Sequence, residues 1–142
     1  MNIDVANSQS AKSHFAPLVS VIIPTFNEVA NVSKIAAAIG IALKDRDHEI
    51  VFVDDDSFDG TRTEVAKLAA AVPGIRLVHR IGRRGLSTAV TEGMLSTTTP
   101  FMVVIDADLQ HDENIIPEML FILETNDADL VVGSRYIECG GL

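Results

Sequence analysis

The sequence predicts one α/β domain, a parallel sheet with helices on its faces. Short runs of Val, Ile and Phe alternate with longer segments of helical periodicity, the pattern of βαβ units joined by right-handed crossovers. The runs are apolar at consecutive positions, as in strands buried on both faces. Three of them end abruptly in polar clusters, and an open parallel sheet binds its ligands beyond the carboxyl ends of its strands.

Residues 1–17 are polar and mixed, without the basic and apolar regions of a signal peptide, and read as a flexible tail ahead of a domain over 18–142. Val19–Ile23 is the first strand, stopped by Pro24, with Thr25-Phe26-Asn27-Glu28 as a loop. Glu28 to Leu43 reads as a helix because Ile35, Ile39 and Leu43 fall at helical spacing. Its apolar run, residues 35–43, is far too short to span a bilayer, and burial against the sheet accounts for it. Glu49–Val53 is the second strand, followed by Asp54-Asp55-Asp56-Ser57 and a helix from Asp59 to Ala71, which Pro73-Gly74 ends. Ile75–Val78 is a short third strand. A glycine-flanked basic loop, Gly82 to Gly85, leads into a helix over 86–96.

Phe101–Ile105 is the fourth strand, and the fourth helix runs over 114–124 with Pro117 near its start, where a missing N–H costs little. Asp129–Gly133 reads as a fifth strand.

At 142 residues the chain fits a single core. Its apolar fraction of 47% is that of a globular protein. The single cysteine, Cys139, forms no internal disulfide and has no zinc-ligand pattern around it, so a reduced, cytoplasmic setting is the default. A net charge of −9 argues against nucleic acid as a partner. It also sits badly with phosphate binding, unless a bound divalent cation supplies the positive charge. The basic residues are uneven, with Arg80, Arg83 and Arg84 close together and Arg135 near the C-terminal end. Arg83 and Arg84 suit either anionic phosphate groups or a solvated loop. A helix N-terminus after Gly85 also faces anions well.

The three strand-end clusters carry the chemistry. Met102-Val103-Val104-Ile105 runs into Asp106-Ala107-Asp108-Leu109-Gln110-His111. On an extended strand, residues two apart share a face, so Asp106 and Asp108 would point the same way and share a cation. A hard divalent metal takes oxygen ligands and leaves room for substrate phosphates. Asn27 and Glu28 after the first strand, and Asp55, Asp56, Ser57 and Asp59 after the second, also suit ordinary helix starts and turns. Taken together, carboxylates gathered on one rim repel one another, and a fold tolerates that only with a cation or hydrogen-bond donors present.

Five segments in order, over residues 19–136, resemble glycosyltransferase family 2, whose fold is the Rossmann-like GT-A fold. They are Val21–Glu28, Val53–Thr61, Arg83–Val90, Asp106–His111 and Gly133–Tyr136. The likeness is greatest to the dolichol- or polyprenyl-phosphate mannose synthase branch. It implies that Pro24, Phe26 and Glu28 line the nucleotide pocket, with Asp54 or Asp55 on the base or ribose. It further implies that Asp106, Asp108 and Gln110 hold Mg²⁺ or Mn²⁺ against the donor diphosphate, and that Arg135 binds the acceptor phosphate or closes the site. Phe26 stands where Tyr is frequent and Phe58 where Pro is frequent. Family catalytic domains are longer: a later acceptor-side segment with a further basic residue is absent. So is a later antiparallel strand, which leaves one edge of Phe101–Ile105 without its neighbour.

The activity implied is transfer of a sugar, mannose or glucose, from a GDP- or UDP-linked donor to a polyprenyl or dolichyl phosphate, with inversion. The setting implied is the cytoplasmic face of a membrane. A phosphate monoester is already anionic, so no general base is required, and His111 reads as a loop histidine. His14, His48 and His79 show no partner spacing and read as structural or solvent-facing. Two related readings stand beside this one: a chain that binds donor without turnover, and a family member with a non-lipid acceptor. A phosphoacceptor receiver domain matches in size, but its acid pair follows the first strand, where this chain has Pro24-Thr25.

Overall fold

The computed structural model describes residues 17–125 and 128–134. Four strands form one parallel sheet: β1 (Val19–Thr25), β2 (His48–Asp54), β3 (Ile75–His79) and β4 (Phe101–Val104), in the order β3-β2-β1-β4. The helices are α1 (Val29–Ala42), α2 (Thr61–Ala71), α3 (Leu86–Leu95) and α4 (Ile116–Glu124), the last preceded by a 3₁₀ turn at Glu113–Ile115. Every element from β1 to α4 lies within two residues of its expected bounds.

The two-residue alternation of a strand sorts the core into two layers. Val19, Val21, Ile23, Ile50 and Phe52 face one side with Val32, Ile35 and Ile39 of α1, Val65 of α2, and Ile116 and Leu120 of α4. Ile22, Val51 and Val53 face the other side, under Ala89 of α3. Full burial of one such side chain is worth about 1.5–3 kcal/mol, so this sorting fixes the register of both central strands. On the α3 side the fit requires a glycine. A Cβ on Gly93 would lie 2.4 Å from Ile22 Cγ2 and 2.9 Å from Val53 Cγ2.

Two boundaries differ from expectation. β1 continues through Pro24, and the hydrogen bonds explain why. The Thr25 carbonyl accepts from the Asp55 N–H at 3.0 Å, so odd-numbered β1 residues bond toward β2. The Ile22 carbonyl accepts from the Ile105 N–H at 3.2 Å, so even-numbered ones bond toward β4. Pairing with β4 ends at Ile22–Val104, and the N–H that Pro24 lacks would have pointed past it. The expected fifth strand is not formed: residues 128–134 have no regular structure. A strand needs a ladder, and among the described residues β4, at the edge of the sheet, pairs only with β1. On that edge Met102 is 38% and Val104 43% exposed.

From β1 the chain winds outward through β2 and β3, then returns to place β4 on the other side of β1. That reversal is the topological switch point, and its crevice opens between the ends of β1 and β4. A receiver domain would instead place its first strand between the second and third, so this topology excludes one.

Candidate active site

The loops after β1 and β2 are bonded to each other at several points. Asn27 takes a left-handed backbone (φ 58°), its N–H donates to Ser57 Oγ at 2.9 Å, and its Oδ1 accepts from the Phe58 N–H at 3.2 Å. The Glu28 N–H donates to Thr61 Oγ1 at 2.8 Å, and the Val29 N–H to Asp59 Oδ2 at 3.1 Å. Asp59 Oδ1 also accepts from the N–H and hydroxyl of Thr61, which fixes the start of α2. Partial burial opposes ionisation of Asp59, but these bonds outweigh it and hold the carboxyl below its ordinary range.

The acids after β2 are largely committed to the protein. Asp54 is fully buried: Oδ1 accepts from Ser57 Oγ at 2.6 Å and Thr25 Oγ1 at 3.3 Å, and Oδ2 from the Ser57 N–H at 3.0 Å. Asp55 accepts from Arg80 Nη1 at 2.5 Å through Oδ1 and from the Gly85 N–H at 2.7 Å through Oδ2. Asp56, with φ 58°, faces His79 Nε2 at 3.0 Å and accepts from the Gly82 N–H at 3.2 Å. Hydrogen bonding from His79 and Gly82 holds its carboxyl below the usual range. His79 therefore has a partner that its spacing in sequence did not reveal. His48 Nδ1 lies 2.9 Å from the Arg46 carbonyl oxygen, and His14 falls outside the described residues.

Arg80, one of three clustered arginines in the sequence, has no role assigned there and a central one in the structure. It is 2% exposed and binds Asp55, Glu92, Thr88 Oγ1 and the Gly85 carbonyl, tying the end of β2 to the start of α3. β3 runs parallel to β2 with His79 beside Asp54, so the next residues, Arg80 and Asp55, are neighbours through a register that the sequence alone does not show. Arg83 pairs with Glu92 Oε1 at 2.8 Å. The Arg84 guanidinium lies over the Phe26 ring, 4.1 Å from its centroid, and Phe58 meets that ring edge-on at 6.1 Å. A pocket of about 250 Å³ is lined by Pro24, Thr25, Phe26, Asp55, Arg84, Gly85 and Leu86.

β4 ends at Val104, and residues 107–109 form a turn with Leu109 at φ 61°. Strand alternation therefore does not set the directions of Asp106 and Asp108. The turn instead buries Ala107 to 3% between a half-exposed Asp106 and an exposed Asp108. Asp108 Oδ1 accepts from the Gln110 N–H at 3.0 Å, and Gln110 is exposed. His111 is also exposed, with Nε2 3.5 Å from Asp106 Oδ2. Among the described residues no group of three or more His, Cys, Asp or Glu is placed to hold a metal. Two outward carboxylates and an amide oxygen nonetheless suit a hard cation of the Mg²⁺ type, which uses one or two carboxylates and completes its shell with water and substrate phosphates. Of the residues assigned by resemblance, the β1–β2 side gathers Pro24, Phe26 and Asp55 around the pocket. Glu28 and the fully buried Asp54 are not in its lining; Glu28 accepts from Asn31 Nδ2 at 2.8 Å. Asp106, Asp108 and Gln110 occupy the β4 side of the crevice. Arg135 lies outside the described residues.

No helix among the described residues is long and apolar enough to cross a membrane. The chain is 40% identical over 122 residues to a dolichol-phosphate mannosyltransferase of Pyrococcus furiosus, covering 86% of this chain and 34% of that one. It is 33% identical over 120 residues to the dolichol-phosphate mannosyltransferase of Saccharomyces cerevisiae, covering 82% and 44%. The chain thus spans less than half the length of these relatives. Among solved structures, the mannosyltransferase PcManGT from Pyrobaculum calidifontis, in complex with GDP-Man and Mn²⁺, superposes with a TM-score of 0.58. The two are 32% identical over 65% of this chain and 28% of that one. The sheet and its flanking helices are those of a GT-A glycosyltransferase. The model of the family described as "Glycosyl transferase family 2" matches residues 20–142, and the chain belongs to that family.

Proposed function

We propose that this chain forms the donor-binding part of a metal-dependent, inverting glycosyltransferase. Its donor is a GDP- or UDP-linked sugar, mannose or glucose, and its acceptor a polyprenyl or dolichyl phosphate. The observation that carries the reading is the Asp106–Asp108 turn at the switch-point end of β4, across β1 from the pocket at Phe26. The relatives named for dolichol phosphate and the GDP-Man and Mn²⁺ of PcManGT support it.

In this reading Pro24 and Phe26 seat the nucleoside, Asp55 forms the pocket wall on the β2 side, Asp54 supports it from beneath, and Glu28 is assigned to the nucleotide by resemblance alone. Asp106, Asp108 and Gln110 would hold Mg²⁺ or Mn²⁺, which when bound neutralises charge on the departing diphosphate. An oxygen of the acceptor phosphate forms a new bond to the anomeric carbon from the face opposite the leaving group. The bond from that carbon to the nucleoside diphosphate breaks with inversion. The acceptor phosphate is anionic at neutral pH, so no residue here has to remove a proton, consistent with an exposed His111 beside Asp106. Arg135 is assigned to the acceptor phosphate by resemblance alone. By the same reading, the full-length protein works peripherally at the cytoplasmic face of a membrane, where such an acceptor would be met.

A second reading is favoured by the chain's span of 34% and 44% of its relatives: the 142 residues bind donor without turnover. The test common to both is calorimetric titration of GDP- and UDP-sugars with Mn²⁺ and with chelator. Binding is expected only with metal, and Asp108→Ala is expected to abolish it while the circular dichroism stays unchanged. Equal affinity in chelator, or in the variant, refutes the assignment.

A further inference from the structure

We propose that Arg84 and Phe26 form a stacking clamp for the base of the nucleotide donor, with Arg84 as a donor-binding residue. The inference rests on the nucleotide reading above and adds to it a residue outside the set assigned by resemblance. Both side chains line the 250 Å³ pocket, and the guanidinium already lies against the ring at 4.1 Å. At that separation nothing fits between them. A base entering the pocket lifts the guanidinium by one stacking layer, roughly 3.5 Å, and leaves its own two faces against the ring and the guanidinium.

Three further observations favour this use of Arg84. Its neighbours Arg80 and Arg83 are held by Asp55 and Glu92, whereas Arg84 has no carboxylate partner among the described residues. It lies between Gly82 (φ 65°) and Gly85 (φ 136°), whose N–H groups Asp56 and Asp55 hold, so the loop is anchored at both ends and the long Arg84 side chain is what moves. The nearby acids already hold protein partners, Asp54 holding Ser57 and Asp55 holding Arg80 and Gly85, so neither is left as a counter-ion for Arg84. A planar guanidinium stacks on a π-face and an ammonium does so poorly. Phe58, edge-on at 75°, supports the Phe26 ring in its pose.

The test is titration of GDP, UDP and inorganic pyrophosphate, each with Mn²⁺, into the 142-residue chain and its Arg84→Ala and Arg84→Lys variants. Both variants are expected to weaken whichever nucleotide the unaltered chain binds by roughly tenfold, the size of a partly desolvated cation–π contact. Affinity for pyrophosphate, which has no base, is expected to stay the same. Three results overturn the clamp: unchanged or tighter nucleotide binding by Arg84→Ala, full rescue by Arg84→Lys, or an equal loss for pyrophosphate, which would make Arg84 a phosphate ligand. If the unaltered chain binds neither nucleotide, the wider reading fails with it. Nucleotide binding that survives in Arg84→Ala sinks only the clamp.

Discussion

Glu49 offers a stability test at the end of the sheet opposite the crevice. Its Oε1 accepts from Ser20 Oγ and Thr97 Oγ1, both at 2.6 Å, while Arg76 donates to its two oxygens at 2.7 and 3.1 Å. Ser20 Oγ also lies 2.8 Å from Thr99 Oγ1. One carboxylate therefore joins β1, β2, β3 and the α3–β4 connection. Burial by itself would raise its pKa, but the bonds from Arg76, Ser20 and Thr97 prevail and lower it from 4.5 to about 2. That depression corresponds to an upper limit of about 3 kcal/mol. Because the Arg76 side chain is 40% exposed, solvent screening brings the expectation nearer 2 kcal/mol. The folded-state pKa is the lower one, so the contribution is complete above the unfolded value of 4.5 and fades as pH falls toward 2. Glu49→Gln keeps the shape and removes the charge. In urea unfolding followed by circular dichroism it should cost about 2 kcal/mol at about pH 6, and less than half of that at about pH 3. A loss that does not vary with pH would show that packing, not ionisation, makes this junction; no loss at all would dismiss the network.

Gly93→Ala places a methyl inside Ile22 and Val53, and overpacking of that kind should cost about 1–3 kcal/mol, read as a lower urea midpoint with an unchanged slope. Wild-type stability in that variant would mean α3 can shift away from the sheet freely. Arg80→Met retains bulk but leaves Asp55 buried without a counter-charge, which should cost about 3–5 kcal/mol; Arg80→Lys should recover part of it. If the Met variant is as stable as the parent, Arg80 does not organise this rim.

The elements from β1 to α4 were legible in the sequence because each is fixed by the period of its apolar residues, and burial follows that period. Val51 and Phe52 both being fully buried, on opposite faces, is what a consecutive apolar run predicts for a central parallel strand. The failures lie where a local pattern depends on a distant partner. Asp129–Gly133 has strand composition, but without a ladder beside it composition makes no strand. Pro24 looked like a stop because sequence shows the missing N–H without showing which way it would have pointed. The pairing of His79 with Asp56 joins residues 23 apart and leaves no mark in spacing.

The acidic clusters illustrate the same limit and sharpen the chemistry. From sequence, the clusters after β2 and β4 both bring carboxylates to one rim, and only the resemblance separates a nucleoside role for Asp54 or Asp55 from a metal role for Asp106 and Asp108. The fold treats them differently. After β2 the charge is met inside the protein: Ser57 satisfies Asp54, Arg80 and Gly85 satisfy Asp55, and His79 and Gly82 satisfy Asp56. After β4 the partners among the described residues are few: one backbone N–H on Asp108, and on Asp106 a histidine at 3.5 Å. A metal bridging to a diphosphate thus has a physical reason to bind at one acidic rim and not the other. The sequence reading gives the cation to Asp106, Asp108 and Gln110, and this contrast between the two rims is a physical reason for it to bind there.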